Sequence, residues 1–346
     1  MITMDYPILL TTALSPFITY SSTIAIEKLE TRIGLVGEDM HKSPGRFLPK
    51  SGGLGFLIGW SISVLLLIAS YRAWEGEAFK YEGDLLLALG LVWISGLIGL
   101  YDDFKRLGGI EKVLLTALPG IILVLSSEYS PFVYIPFLGN VRMSIIYPIA
   151  LPLAFAISSN GINMSDTFTG IAPGVTAILS ASMIITMYLT GIAYPYWGGD
   201  LGPSIPLLST ALFSLLGYIP RNFYPGRTFN GDAGSLAWGS LLALGAIWGK
   251  VEFFLILSAM PIIANGFTIL ASIRGIIEHH SLKDRPTIAN REKNSLRANP
   301  NKSAPITLAH MLTLIDELCE KEIVIAVYIL VSITSLLSIA IAVLLF

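Results

Sequence analysis

The sequence predicts an all-α fold, a polytopic membrane helix bundle of about ten transmembrane helices, and three observations predict it. Only 13% of residues are charged while 53% are hydrophobic, whereas a soluble domain carries about 25% charge. Apolar runs of roughly bilayer length recur from one end of the 346 residues to the other. Lys and Arg fall almost entirely in alternate connections between those runs. A length that would otherwise suggest two soluble domains therefore reads as one integral membrane domain over 1–346. The net charge of −2 gives no reason to expect nucleic acid. A single cysteine, Cys319, excludes an intrachain disulfide and a Cys-rich metal site. The N-terminus lacks a basic n-region, so no cleavable signal peptide is expected.

In chain order the expected spans are 6–26, 53–71, 84–101, 112–127, 143–158, 171–193, 205–219, 234–249, 252–273 and 323–346. The fourth, seventh and eighth are short. Gly and Pro inside several of them are tolerated where neighbouring helices satisfy the freed backbone groups. The odd connections (27–52, 102–111, 159–170, 220–233 and 274–322, with Lys112 at the edge of its loop) hold 18 of the 22 Lys and Arg. The opposite side has Arg72, Lys80, Arg142 and Lys250. This asymmetry puts the odd loops in the cytoplasm and both termini outside. The long connection 274–322 looks soluble. Its tail, 307–322, sets Leu308, Met311, Leu312, Ile315 and Leu318 at helical spacing, with His310, Asp316, Glu317, Glu320 and Lys321 mostly opposite. That pattern predicts an amphipathic helix lying at the membrane interface or packed on the bundle.

Chemistry-bearing residues gather in the odd loops. Loop one reads Gly37-Glu38-Asp39-Met40-His41-Lys42-Ser43-Pro44, then Pro49-Lys50-Ser51-Gly52-Gly53, a basic, Gly-rich entry to a helix that suits an anion. Loop two begins Gly99-Leu100-Tyr101-Asp102-Asp103 and runs to Lys105, Arg106 and Lys112. Two adjacent carboxylates at the end of an apolar helix mark function. They point about 100° apart, so one can face a metal or nucleophile while the other holds a lysine. Loop three, Asn160-Gly161-Ile162-Asn163-Met164-Ser165-Asp166, carries no Lys or Arg and offers the oxygen ligands that Mg²⁺ selects. Loop four, Pro225-Gly226-Arg227-Thr228-Phe229-Asn230-Gly231-Asp232-Ala233-Gly234-Ser235, sets Asp232 between small residues at the mouth of a span. Loop five holds His279, His280, Lys283 and Arg285, a phosphate clamp more than a zinc site. Together they form the inventory for metal-assisted chemistry on a phosphorylated substrate.

The order of these motifs resembles the polyprenyl-phosphate N-acetylhexosamine-1-phosphate transferase family. The likeness spans nearly the whole chain: HK…P…GG at 41–53, GLYDD at 99–103, NGIN..D at 160–166, P.R.FNGD.GS at 225–235 and the His-rich loop at 279. Within the family it is nearer the eukaryotic and archaeal branch that uses UDP-N-acetylglucosamine and dolichyl phosphate, as judged by Pro305-Ile306-Thr307-Leu308 and the Asp102-to-Lys112 spacing. Asp166 is followed by Thr167 and later by Thr169-Gly170, and loop five continues Lys-Asp-Arg-Pro. Both depart from the bacterial pattern and speak against a muramoyl-pentapeptide substrate.

The resemblance implies a Mg²⁺-dependent transferase, with Mn²⁺ as a substitute. Asp232 and Asn163 would hold the metal on the diphosphate, and Asp102 and Asp103 would sit beside the attacking lipid phosphate as catalytic residues. Lys42, Lys112, Asn160, Asp166, His279, His280, Lys283 and Arg285 would bind phosphates and substrate. The implied partners are UDP-N-acetylglucosamine, a polyprenyl or dolichyl phosphate and the bilayer, with room for a homodimer. The implied setting is an archaeal cell membrane, or the endoplasmic reticulum in a eukaryote. A secondary transporter is the rival from another class, but its site belongs near the bilayer midplane, where the sequence places almost no ionisable residue.

Overall fold

The structure, a computed structural model, describes residues 6–39, 45–275, 284–290 and 294–346. The long helices are α1 (Tyr6–Ile33), α2 (Gly53–Glu75), α3 (Glu82–Lys105), α6 (Ile146–Ser165), α7 (Ile171–Thr190), α8 (Ser204–Asn222), α9 (Gly231–Gly249) and α13 (Glu320–Leu345). Shorter helices complete the bundle: α4 (Gly109–Thr116) runs on into α5 (Leu118–Ser126), and α10 (Glu252–Ser258) into α11 (Met260–Ile273), before the single turn α12 (Leu308–Leu312). Among the described residues the only sheets are three antiparallel hairpins: β1 (Val36–Glu38) with β2 (Phe47–Pro49), β3 (Phe132–Ile135) with β4 (Gly139–Arg142), and β5 (Thr287–Asn290) with β6 (Ser295–Ala298).

Each of the ten expected spans falls on a helical segment, but the count of ten membrane crossings is not reproduced. Among the described residues six helices are long and apolar enough to cross a bilayer, and the α10–α11 pair, bent by 69°, would make a seventh. The helices that fall short, α6, α8 and α9, have 19 or 20 residues and carry the polar groups of the site. Their sequences answer to protein neighbours as much as to lipid. The outer helices do face lipid: Phe17 on α1, Leu336 on α13 and Ile157 on α6 are all largely exposed, an apolar perimeter of the kind that marks a membrane surface.

At the centre stands α9, where every residue from Ala233 to Gly249 is buried, as expected of a helix that is apolar all round. Its neighbours approach through missing side chains. A Cβ on Gly99 of α3 would lie 2.2 Å from the Asp232 carbonyl oxygen, and one on Gly53 of α2 would lie 2.3 Å from Gly234 Cα. Those two contacts bring the C-terminal end of α3 and the N-terminal end of α2 against the start of α9. At the other end of α9, Lys250 donates to the carbonyls of Ser130 and Phe132 at 2.9 and 3.2 Å, and Trp248 donates to that of Glu128 at 2.8 Å. The β3–β4 hairpin is thereby fastened beneath the core.

The amphipathic helix expected over 307–322 is much shorter. Leu308–Leu312 forms one helical turn, with the Thr307 hydroxyl accepting the His310 amide at 3.0 Å as its N-cap, and the chain is helical again only where α13 begins at Glu320. Between the two the chain turns to pair with β6. Ala298 donates to the Thr313 carbonyl, and Leu296 and Leu318 exchange backbone hydrogen bonds. Tertiary pairing overrides the helical period here. Ile315, expected on the apolar face, is 92% exposed.

Candidate active site

Helix polarity builds the site. The C-terminal ends of α1, α3, α6 and α8 and the N-terminal ends of α2, α4, α7 and α9 meet at one end of the bundle. The sequence's adjacent carboxylates diverge there. Asp102 is buried and forms an ion pair with Lys112, while its other oxygen accepts the Leu107 amide at 2.5 Å. Asp103 turns toward α2 and α9, accepting the Ser51 hydroxyl at 3.0 Å and the Asp232 amide at 3.3 Å. Lys50 donates to the Asp103 carbonyl.

Lys112, on the first turns of α4, is buried and spans two carboxylates, since its ammonium also lies 2.7 Å from Asp232 Oδ2. Asp232 Oδ1 accepts the Asn163 amide at 2.9 Å, and the same Asn163 nitrogen donates to Ser235 at 2.8 Å. Residues 102, 112, 163 and 232, drawn from four helices, thus form one continuous polar cluster. Asp232 remains 28% exposed while Lys112 is buried. This geometry suits a carboxylate that meets a ligand from outside.

Asp166, just past the end of α6, is held by the Asn230 amide at 2.7 Å and by a backbone amide of Ala172 at the start of α7. Burial pushes its carboxyl up to about 7, with the Asn230 hydrogen bond pulling the other way and the neighbouring Asp232 and Asp103 charges adding to the rise. Asn160 lies about one turn before Asn163, but its amide nitrogen is committed to the Thr116 hydroxyl and the Ala156 carbonyl, both at 2.8 Å. It ties α6 to α4 beside Lys112. Arg285 stands at the base of the β5–β6 hairpin, where its carbonyl accepts from Asn299 at 2.8 Å. Lys42, His279, His280 and Lys283 lie outside the described residues.

Several site residues were not singled out from the sequence. Lys50, Ser51, Asn230 and Ser235 stand inside recognised motifs, yet their part in the cluster emerges only from packing. Glu30, buried on α1, accepts the Ser51 amide at 3.2 Å and so holds the loop that reaches Asp103. A carboxylate inside a 28-residue apolar helix was the available signal. Tyr218, fully buried on α8, donates to Asn230 at 2.8 Å.

No cluster of three or more His, Cys, Asp or Glu placed to hold a metal occurs among the described residues. The donors present are nevertheless hard oxygens. Mg²⁺ takes one or two protein carboxylates and fills the rest of its shell with substrate phosphates and water. Asp232, partly exposed at the end of the cluster, is the carboxylate that would serve. Because Asn163 uses its nitrogen toward Asp232 and Ser235, its oxygen is the atom that would meet a cation. The site fits a metal shared with a phosphate ligand better than one caged by protein alone.

Comparison with known proteins agrees with this geometry. A sequence model of glycosyl transferase family 4 matches residues 85–250, the stretch containing Asp102, Lys112, Asn163 and Asp232. The chain is 29% identical over 270 residues to a Sulfolobus acidocaldarius protein provisionally named UDP-N-acetylglucosamine–dolichyl-phosphate N-acetylglucosaminephosphotransferase, covering 77% of this chain and 78% of that one. A Saccharolobus solfataricus protein with the same provisional name is 27% identical over 260 residues, 75% and 76% of the two chains. The phospho-N-acetylmuramoyl-pentapeptide-transferase of Desulfotalea psychrophila is 27% identical over 248 residues, 65% and 66% of the two chains. Its motifs, its helical architecture and these relatives agree in a likeness to glycosyl transferase family 4.

Proposed function

We propose that this transferase moves N-acetylglucosamine 1-phosphate from UDP-N-acetylglucosamine to a polyprenyl phosphate of the dolichyl type, releasing UMP. The observation that carries the reading is Lys112, clasped between Asp102 and Asp232 with Asn163 on the far oxygen of Asp232. A buried cation beside an accessible carboxylate and an amide is a seat for a diphosphate and its divalent ion. The names of the two archaeal relatives supply the nucleotide sugar and the lipid.

In the reaction an oxygen of the lipid phosphate bonds to the β-phosphorus. The bond from that phosphorus to the oxygen bridging it to the α-phosphorus breaks, and the bridging oxygen leaves with UMP. The sugar stays on the β-phosphate, giving a polyprenyl diphosphate N-acetylglucosamine. The nucleophile is already anionic, because a phosphate monoester has a second pKa of about 6, so positioning and charge neutralisation do most of the work. Both carboxylate oxygens of Asp102 are engaged, by Lys112 and by the Leu107 amide. Its role is to hold Lys112 toward the phosphates. Asp103 fixes the start of α9 through the Asp232 amide. Asp232 and Asn163 would hold Mg²⁺, which when bound would offset the charge of the diphosphate.

The site end is assigned to the cytoplasm, where 18 of 22 Lys and Arg gather, and the chain to an archaeal-type cell membrane. Detergent-solubilised protein, labelled UDP-N-acetylglucosamine and a polyprenyl phosphate should give a lipid-linked product with Mg²⁺ and none with EDTA. Absence of product with Mg²⁺ present would overturn the reading. Turnover with UDP-N-acetylmuramoyl-pentapeptide instead would transfer the substrate assignment to the other group of relatives.

A further inference from the structure

Beneath the cluster runs a second chain of hydrogen bonds with no assigned purpose. Tyr218 of α8 donates to Asn230 Oδ1 at 2.8 Å, and Asn230 Nδ2 donates to Asp166 Oδ1 at 2.7 Å. The Ala172 amide of α7 closes the series on Asp166. Tyr218 is fully buried and Asn230 is 3% exposed, so water offers little alternative. Buried polar groups are held to their partners because leaving one unmatched is costly.

The series has a direction. An Asn side chain presents one acceptor oxygen and one donor nitrogen. An ionised Asp166 carboxylate can only accept, so it draws the Asn230 nitrogen toward itself and leaves the amide oxygen to take the Tyr218 hydroxyl. The reversed amide would set oxygen against carboxylate. Asn230 stands two residues before Asp232, and Asp166 three residues after Asn163. Fastening 230 to 166 therefore fixes the approach of α9 to α6, and with it the 2.9 Å contact between Asn163 and Asp232.

We propose that Tyr218 is a positioning residue for the metal seat: through Asn230 and Asp166 it holds Asn163 beside Asp232, the pair that would take a divalent cation. The inference rests on the proposed metal role of Asn163 and Asp232. Tyr218 touches neither a substrate nor the cation. It acts as outer partners of metal ligands do, by setting the orientation of groups that make the contact.

The test uses Mn²⁺ as the probe, followed by electron paramagnetic resonance on the full-length protein in detergent with UDP present, alongside the thermal midpoint. Tyr218→Phe keeps the ring, which packs 5.5 Å from Trp238, and removes only the hydroxyl. The expected result is a loss of Mn²⁺ affinity of about tenfold, as for outer partners of metal ligands generally, with kcat at saturating metal within about twofold of the parent. Asn230→Ala, which cuts the series at its middle, should weaken Mn²⁺ at least as much. Unchanged Mn²⁺ affinity in a folded Tyr218→Phe protein overturns the inference and leaves the proposed function intact. A kcat that falls while Mn²⁺ affinity holds also overturns it. A parent protein that binds no Mn²⁺ overturns the metal assignment itself, and the inference with it.

Discussion

Lys112 and Asp232 meet at 2.7 Å across 120 residues of chain, and Lys112 pairs with Asp102 at the same time. One buried ammonium thus joins α3, α4 and α9. Replacing it leaves Asp102 and Asp232 facing one another without a cation. Lys112→Met should destabilise the protein by about 3–5 kcal/mol, as when one member of a buried ion pair is removed. It should also lower kcat by roughly 10²–10³, the loss that follows removal of one charge-stabilising group. Thermal unfolding and steady-state turnover in detergent check the two effects separately. A variant as stable and as active as the parent would show that the pairing is incidental.

Asp102 and Asp103 should separate in mutagenesis. Asp102→Asn keeps an acceptor for Leu107 but loosens Lys112. It is expected to lower kcat by about tenfold, in line with a positioning group, and to leave the shape of the pH–rate profile unchanged. Loss of the acidic limb in that variant would instead make Asp102 a general base.

Metal removal provides a third check. EDTA should stop product formation, and added Mg²⁺ should restore it. Asp232→Asn should demand more Mg²⁺ for half-maximal rate, by about 10–100-fold. Turnover of that variant with the parent's metal dependence would detach Asp232 from the cation.

Gly99→Ala tests the packing of α3 on α9. The added Cβ would lie 2.2 Å from the Asp232 carbonyl oxygen, so the helices must part. Overpacking of this kind costs about 1–3 kcal/mol. A lowered melting midpoint together with lost turnover is expected, although residue 99 touches no substrate.

Much of this was legible in the sequence, for physical reasons that differ by residue. The helices announced themselves because lipid leaves backbone groups no partners outside the helix. Asp102, Asp103 and Asp232 announced themselves because carboxylates at the ends of apolar helices are expensive. Asn160 illustrates the limit. It shares a motif with Asn163, yet three residues of helix turn its amide to Thr116 instead of Asp232. The segment after Leu312 had the period of a helix but found a strand partner in β6, and pairing between distant segments leaves no local trace. Tyr218 gave no signal at all, since a tyrosine in an apolar helix is ordinary until the residue beside its hydroxyl is known.

The glycines packed around α9 carry a consequence for genetics. A Cβ on Gly239 would meet the Ser158 carbonyl at 2.4 Å, and one on Gly245 would meet Leu208 at 2.6 Å. A saturation screen for activity would therefore score positions deep within the bundle as intolerant as Asp232 itself. Sorting such a screen by residual activity alone would enlarge the apparent catalytic centre to the length of the helix. Sorting it first by protein abundance would return the centre to the few residues at the end of α9.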